Sequence, residues 1–127
     1  DQVSEIINGA PAGFSVMSGD DSLTLPMMSV GARGVISVVS NIAPAPVSRM
    51  CELFRKGQTG EAAAMHHRLF PLVKNLFVET NPIPVKYAVS LLRLCGPEPR
   101  LPLTPLSAKL RPGLRVSMLK AGIKLPS

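Results

Sequence analysis

The sequence has few of the residues on which nucleic-acid binding proteins depend. It contains no tryptophan, one tyrosine and four phenylalanines among 127 residues. Proteins that hold single-stranded nucleic acid stack its bases on aromatic rings, so this small aromatic content argues against such a binder. Tyr87 is the only aromatic residue beyond Phe77, and the region beyond Phe77 carries most of the positive charge.

Cysteine and histidine are too scarce, and too poorly spaced, for a disulfide framework or a metal centre. Cys51 and Cys95 fit no metal-ligand spacing. We therefore predict two reduced thiols on buried helix faces, as in a cytoplasmic protein. His66 and His67 are adjacent, so their rings diverge on a helix and cannot share a metal as an i, i+4 pair does. We predict one surface and one half-buried histidine, and no metal site.

Long apolar runs are also missing. The hydrophobic fraction is 46%, yet no run approaches the roughly 20 residues that span a bilayer, and no signal-peptide pattern is visible. The chain begins at Asp1 without an initiator methionine, and residues 3–7 have the spacing of a helix already under way. We therefore expect the C-terminal part of a longer polypeptide, with a cytoplasmic location and no membrane partner.

The net charge of +6 is unevenly distributed. Residues 86–127 carry eight basic side chains and one acidic side chain, whereas residues 1–85 carry six basic and seven acidic ones. A basic region is typical of proteins that bind nucleic acid or an anionic surface. Since Tyr87 is its single aromatic residue, a solvated helical face, or a charge balanced by the missing part of the polypeptide, explains this region better, and we expect no nucleic-acid partner. A non-catalytic basic interaction module remains an alternative.

Two short apolar runs, at residues 14–18 and 34–38, are typical of buried strands. Each is followed by small and polar residues and then by a helical pattern. Strand, loop and helix repeated in this way is the unit of a parallel α/β sheet. In barrels built from that unit the chemistry lies at the C-terminal ends of the strands. The chain has about half of the roughly 250 residues that an eight-stranded barrel needs.

After Asn41 the pattern predicts helices only. Apolar residues recur at helical spacing in stripes, with Pro71 as a kink and residues 97–105 as an extended, proline-rich link. The stripes consist of Val47, Met50, Cys51 and Phe54, then Met65, Leu69, Leu72, Val73 and Leu76, then Val85, Ala88, Val89 and Leu92, and finally Leu110, Leu114 and Met118. We expect the third of these helices to stop at Gly96 and Pro97.

The loop after the first predicted strand is a candidate binding site. Gly19 lets a ligand approach the backbone closely, and the carboxylates of Asp20 and Asp21 suit a cation or an amine. The alternative is that both aspartates cap the following helix and interact with its dipole. The spacing alone leaves both interpretations open.

The second predicted strand offers backbone groups rather than reactive side chains. Ile36 is either ordinary barrel filling or a residue that presents its N–H and C=O to a small substrate. Ser37 and Ser40 would be nucleophiles only beside a base, and both histidines lie far along the chain, so a Ser–His pair is poorly supported. No lysine lies on either strand. An amine nucleophile of the Schiff-base type is therefore expected outside this chain.

Four motifs in order resemble the C-terminal half of the dihydrodipicolinate synthase family. They are Ser18-Gly19-Asp20-Asp21, Gly34-Val35-Ile36-Ser37-Val38 with Asn41, Phe77-Val78-Glu79 followed by Asn81-Pro82-Ile83-Pro84-Val85-Lys86, and Arg100-Leu101-Pro102-Leu103-Thr104-Pro105. The Asn81–Lys86 run is specific to this family within its superfamily. The strand motifs are shared more loosely with N-acetylneuraminate lyase and keto-deoxy sugar acid aldolases.

The resemblance implies a (β/α)₈ TIM barrel with a C-terminal helical extension. Residues 1–44 would provide the last two strand and helix units, with strands seven and eight. Residues 45–80 would form the final barrel helix and the next helix, and residues 81–127 the extension. The missing partner would be the N-terminal half of the same barrel, and the complete enzyme would be a homo-oligomer, either a dimer or a tetramer.

The resemblance also implies an activity. Family members condense pyruvate with aspartate 4-semialdehyde, in the pathway to diaminopimelate and lysine, through a Schiff-base lysine upstream of Asp1 and without a cofactor. By position, the main chain of Ile36 contacts the pyruvate moiety and Gly19 lines the same pocket. Asp20 and Asp21 lie near the pocket mouth. A sibling aldolase acting on a sugar acid is the alternative enzyme.

Overall fold

The computed structural model describes residues 1–126, and most of its regular structure is helical. Short 3₁₀ turns lie at Asp21–Leu23, Val39–Asn41 and Ala108–Leu110. The helices are α1 (Gln2–Gly9), α2 (Thr24–Ser29), α3 (Pro44–Arg55), α4 (Thr59–Leu76), α5 (Ile83–Leu91) and α6 (Arg111–Lys120). None of the helices within residues 1–126 has the length and apolar character needed to cross a membrane.

The two predicted strands run side by side but form a single parallel bridge between Ser18 and Val35. The Ser18 N–H donates to the Gly34 carbonyl at 2.8 Å, and the Ile36 N–H donates to the Ser18 carbonyl at 2.9 Å. This is the slanted pattern of parallel pairing. Within the described part of the chain, residues 14–18 and 34–38 form this bridge and no regular strand, so the prediction of two strands is not confirmed. The pairing stops because the Ser18 hydroxyl donates to the Asp20 carbonyl at 2.7 Å and turns the chain.

The core is formed where α3, α4 and α6 pack together. Burial is complete for Leu72 and Leu76 of α4 and for Leu114 and Met118 of α6. Val39, 1% exposed, joins this cluster from the turn after the second paired segment. A smaller cluster contains Met28, Met50 and Cys51. Helix packing therefore positions the loops at the ends of the paired segments.

The helices predicted after Asn41 are all present, and one of them, α5, is shorter than predicted. Pro71 lies inside α4, which continues through it. The helix predicted to stop at Gly96 and Pro97 ends earlier, at Leu91. Arg93 there has a φ of 60°, in the left-handed region that an α-helix cannot continue through. The apolar stripe extends past the point where the backbone leaves the helix.

Helix α6 allows a test of core packing on one element. Leu114 is fully buried, whereas Leu119 is 52% exposed. We expect Leu114→Ala to lower the free energy of unfolding by about 2–5 kcal/mol, because it leaves a cavity. Leu119→Ala should change it by less than about 0.5 kcal/mol. Urea denaturation followed by circular dichroism measures both, and equal effects would contradict the packing of α6.

Candidate functional site

An open groove of about 360 Å³ separates the end of the second paired segment from α5. Its lining residues come from these two parts of the chain and from the segments just before and just after α5: Ile36, Ser37, Val38, Asn41, Asn81, Pro82, Val85, Lys86, Val89 and Cys95. The Ile36 side chain is 74% exposed. Its backbone N–H is used by the Ser18 carbonyl, whereas its own carbonyl accepts no hydrogen bond from the described residues. Ile36 therefore offers an acceptor to a ligand.

Gly19 lies at the same end of the paired segments as Ile36. It directly follows Ser18, whose carbonyl accepts the Ile36 N–H. A Cβ placed on Gly19 would meet no atom within 4 Å, so the backbone there faces open space. The structure thus brings these two predicted residues together, and it leaves room beside Gly19 for a ligand.

Asp20 caps the following turn, as one of the two interpretations predicted. One oxygen of its carboxylate accepts from the Ser22 N–H at 2.8 Å and from the Ser22 hydroxyl at 2.7 Å. The Asp20 side chain lines a second groove, beside α4, together with Phe70 and Lys74. It is therefore not among the residues that line the groove of Ile36.

Asp21 has a role that neither interpretation included. Its carboxylate is buried at 6% exposure and accepts from the Ser37 hydroxyl, from the Val38 N–H at 2.9 Å and from the Val39 N–H at 3.2 Å. A charged acceptor with several donors is held strongly in one geometry. Asp21 thus joins the loop after the first paired segment to the loop after the second.

The serines and histidines do not form a catalytic pair within the described residues. The Ser37 hydroxyl donates to Asp21, and the Ser40 hydroxyl donates to the Ser37 carbonyl at 2.8 Å. His66 is half-buried and His67 is exposed, as predicted. Burial, and to a smaller extent the neighbouring His67, lowers the pKa of His66. No group of three metal-ligating side chains occurs in residues 1–126.

Sequence reasoning missed the contribution of α5 to the groove. It placed Asn81 and Lys86 only within a run typical of the family, and it predicted a buried thiol for Cys95. The structure places all three along the groove, and Cys95 is exposed, so the prediction of two buried thiols is wrong for Cys95. For Asn81 and Lys86 the available signal was their position in the Asn81–Lys86 run, and Cys95 had none. Spacing within one helix does not show which loop that helix covers.

Comparison with known proteins assigns the family. The pattern of the dihydrodipicolinate synthetase family matches residues 1–121. The chain belongs to this family. It is 48% identical over 118 residues to a 4-hydroxy-tetrahydrodipicolinate synthase of Thermomicrobium roseum, covering 93% of the chain and 39% of that relative. It is 46% identical over 125 residues to the synthase of Aquifex aeolicus, covering 98% of the chain and 42% of that relative.

Solved structures give the same assignment. The crystal structure of dihydrodipicolinate synthase from Aquifex aeolicus matches with a TM-score of 0.95 at 46% identity, over 100% of this chain and 43% of that one. The Cyanidioschyzon merolae enzyme, solved with lysine bound, matches with a TM-score of 0.91 at 40% identity, over 97% and 42%. The chain thus spans about two fifths of the length of the relatives it matches, and its fold is that of part of a TIM-barrel enzyme.

The buried carboxylate of Asp21 should be more important for stability than its neighbour. Asp21→Ala leaves the Val38 and Val39 N–H groups without their acceptor, so we expect a loss of about 1–3 kcal/mol in the free energy of unfolding. Asp20→Ala removes only an exposed cap and should cost about 1 kcal/mol or less. Thermal and urea denaturation of the two variants measure both losses in the free energy of unfolding. A larger loss for Asp20→Ala than for Asp21→Ala would contradict the prediction.

The two thiols should differ in reactivity. Burial raises the pKa of the Cys51 thiol, and the Arg55 guanidinium lowers it by a smaller amount. Because the thiolate is the reactive form, Cys51 should resist alkylation while the exposed Cys95 reacts. Iodoacetamide treatment at about pH 8, followed by mass analysis of the peptides, measures this. Rapid labelling of Cys51 in the folded protein would contradict its burial.

Proposed function

We propose that this chain is part of a 4-hydroxy-tetrahydrodipicolinate synthase, a lyase that condenses pyruvate with L-aspartate 4-semialdehyde in lysine and diaminopimelate biosynthesis. The family match over residues 1–121 carries the proposal. The Asn81–Lys86 run, which the resemblance marks as specific to this family, supports it by bordering the groove of Ile36.

The chain would contribute the last part of the barrel. In this proposal residues 1–44 contain strands seven and eight, residues 45–80 the final barrel helix and the next helix, and residues 81–127 the helical extension. The parallel pairing of Ser18 with Val35 supports two adjacent parallel strands. The N-terminal half of the barrel would pair with the open edges of these segments and would supply the Schiff-base lysine. The complete enzyme would be a cytoplasmic homo-oligomer.

The proposed chemistry needs binding groups rather than a reactive side chain from this part of the enzyme. The amine of the upstream lysine attacks the keto carbon of pyruvate, and loss of water gives the imine. A preorganised pocket then stabilises the imine and its enamine. The free carbonyl of Ile36 would accept a hydrogen bond from the N–H of the protonated imine or of the enamine, and Gly19 would let the pyruvate unit approach the backbone closely.

The aspartates would act at different distances from the substrate. Asp20 is exposed, and it would lie at the mouth of the pocket. Asp21 would support the site by holding the Ile36 loop through its hydrogen bonds to Ser37, Val38 and Val39. Neither aspartate lines the groove of Ile36, so Asp21 would be a positioning residue and Asp20 would lie outside the groove, at its mouth.

A hybrid enzyme tests the function. Its N-terminal part comes from the Aquifex aeolicus relative, and this chain replaces the matching C-terminal part. With pyruvate and borohydride we expect a covalent adduct on the hybrid, at a lysine outside this chain, because borohydride reduces the imine to a stable amine. Peptide mass analysis locates it. An adduct on a lysine of this chain, or the absence of any adduct on a folded hybrid, would contradict the proposal.

The same hybrid separates the two enzyme assignments. Aspartate 4-semialdehyde should be consumed together with pyruvate, whereas sugar-acid substrates of the sibling aldolases should be turned over far more slowly. Comparison of kcat/KM for the two substrate classes measures this. A preference for sugar acids would favour the sibling assignment.

A further inference from the structure

Lys86 is the single charged side chain among the residues that line the groove of Ile36. The remaining walls consist of apolar side chains, amides, a hydroxyl and the Cys95 thiol, without an aspartate or a glutamate. Lys86 is half-buried. The ion pair found within residues 1–126 joins Arg49 to Glu52 and does not involve it. The groove is therefore lined by one basic residue, and no ion pair joins Lys86 to an acidic side chain in the described part of the chain.

The groove lies next to the groups that bind substrate in the proposed reaction. Ile36, with its free carbonyl, is on one wall, and Lys86 is on α5 at the other. The Cys95 Sγ atom lies 4.0 Å from the Lys86 carbonyl oxygen. The thiol is therefore on the same wall of the groove as Lys86. A lysine on the wall of a groove with apolar walls attracts an anion more strongly than a lysine surrounded by water.

We propose that Lys86 binds a substrate carboxylate in this groove and thereby determines substrate affinity. The inference rests on the proposed function, since both substrates of that reaction are carboxylic acids. Lys86 is a specificity residue in this assignment, and the Schiff-base amine is another lysine. An ammonium donates charge-assisted hydrogen bonds to a carboxylate, which a neutral amide of similar length does far more weakly.

Three substitutions in the hybrid enzyme test whether Lys86 binds a substrate carboxylate. Lys86→Gln removes the charge, Lys86→Arg keeps it, and Lys124→Gln makes the same charge change at an exposed residue after α6 that does not line the groove. We expect Lys86→Gln to raise KM for one substrate about tenfold, which corresponds to about 1.4 kcal/mol. The kcat value should change less than about threefold, because the contact is made in both the bound substrate and the transition state.

The kinetic pattern identifies the carboxylate. A raised KM for aspartate 4-semialdehyde assigns Lys86 to the incoming aldehyde, and a raised KM for pyruvate assigns it to the first substrate. Lys86→Arg should restore most of the affinity, and Lys124→Gln should leave both values unchanged. KM values within about twofold of the parent for both substrates in Lys86→Gln would overturn the inference. So would an equal effect of Lys124→Gln.

Protection of Cys95 provides a second measurement that does not depend on turnover. A carboxylate bound at Lys86 should cover the thiol and slow its alkylation by iodoacetamide, and Lys86→Gln should abolish that protection. Pyruvate and aspartate 4-semialdehyde are each used as the probe, with buried Cys51 as the internal control. Failure of both probes to protect Cys95 in the parent hybrid counts against the inference.

The two proposals fail in different ways. A folded hybrid that forms no borohydride adduct with pyruvate contradicts the proposed function, and Cys95 protection then decides the inference alone. Normal adduct formation with unchanged KM values and no protection of Cys95 leaves the function intact and overturns the role of Lys86.

Discussion

The carboxylate of Asp21 holds together the two loops on which the candidate site depends. It lies at the start of a 3₁₀ turn after the first paired segment and accepts hydrogen bonds from Ser37, Val38 and Val39 after the second. A buried carboxylate is costly unless donors surround it. Here the donors belong to the loop after the second paired segment. Asp21 can therefore be buried only when this loop lies against its own. The position of Ile36 relative to Gly19 follows from this contact.

The helical core explains how a chain with so little pairing of extended segments has a defined structure. Leu72, Leu76, Leu114 and Met118 are fully buried between α4 and α6. The extended segments meet through a single bridge, and their outer edges carry backbone groups that a further strand would satisfy. A helical core beside unpaired strand edges is consistent with a chain that spans two fifths of its relatives' length. The helices provide most of the buried apolar surface, and the paired segments provide the site.

Helix α5 is placed over that site by contacts distant from it in sequence. Glu79, just before the helix, accepts hydrogen bonds from the hydroxyl of Ser107 and, at 3.4 Å, from its N–H. The Arg111 guanidinium lies 5.4 Å from the centroid of the Tyr87 ring, a distance at which the cation and the ring attract each other. These contacts hold α5 and the segment before it against α6 and the segment that precedes α6. This position of α5 forms the groove, with Lys86 on one wall and Ile36 on the other.

The helices after Asn41 and the family could be predicted from the sequence, because apolar periodicity and short motifs are local properties. The resemblance of the motifs also predicts one site for Gly19 and Ile36, and the structure places both residues at the same end of the paired segments. The three-dimensional structure was needed to show that Asp21 joins two loops, that Cys95 is exposed and that Lys86 lines the groove of Ile36. Each of these depends on contacts between residues far apart along the chain, and neither composition nor spacing records which distant residues meet.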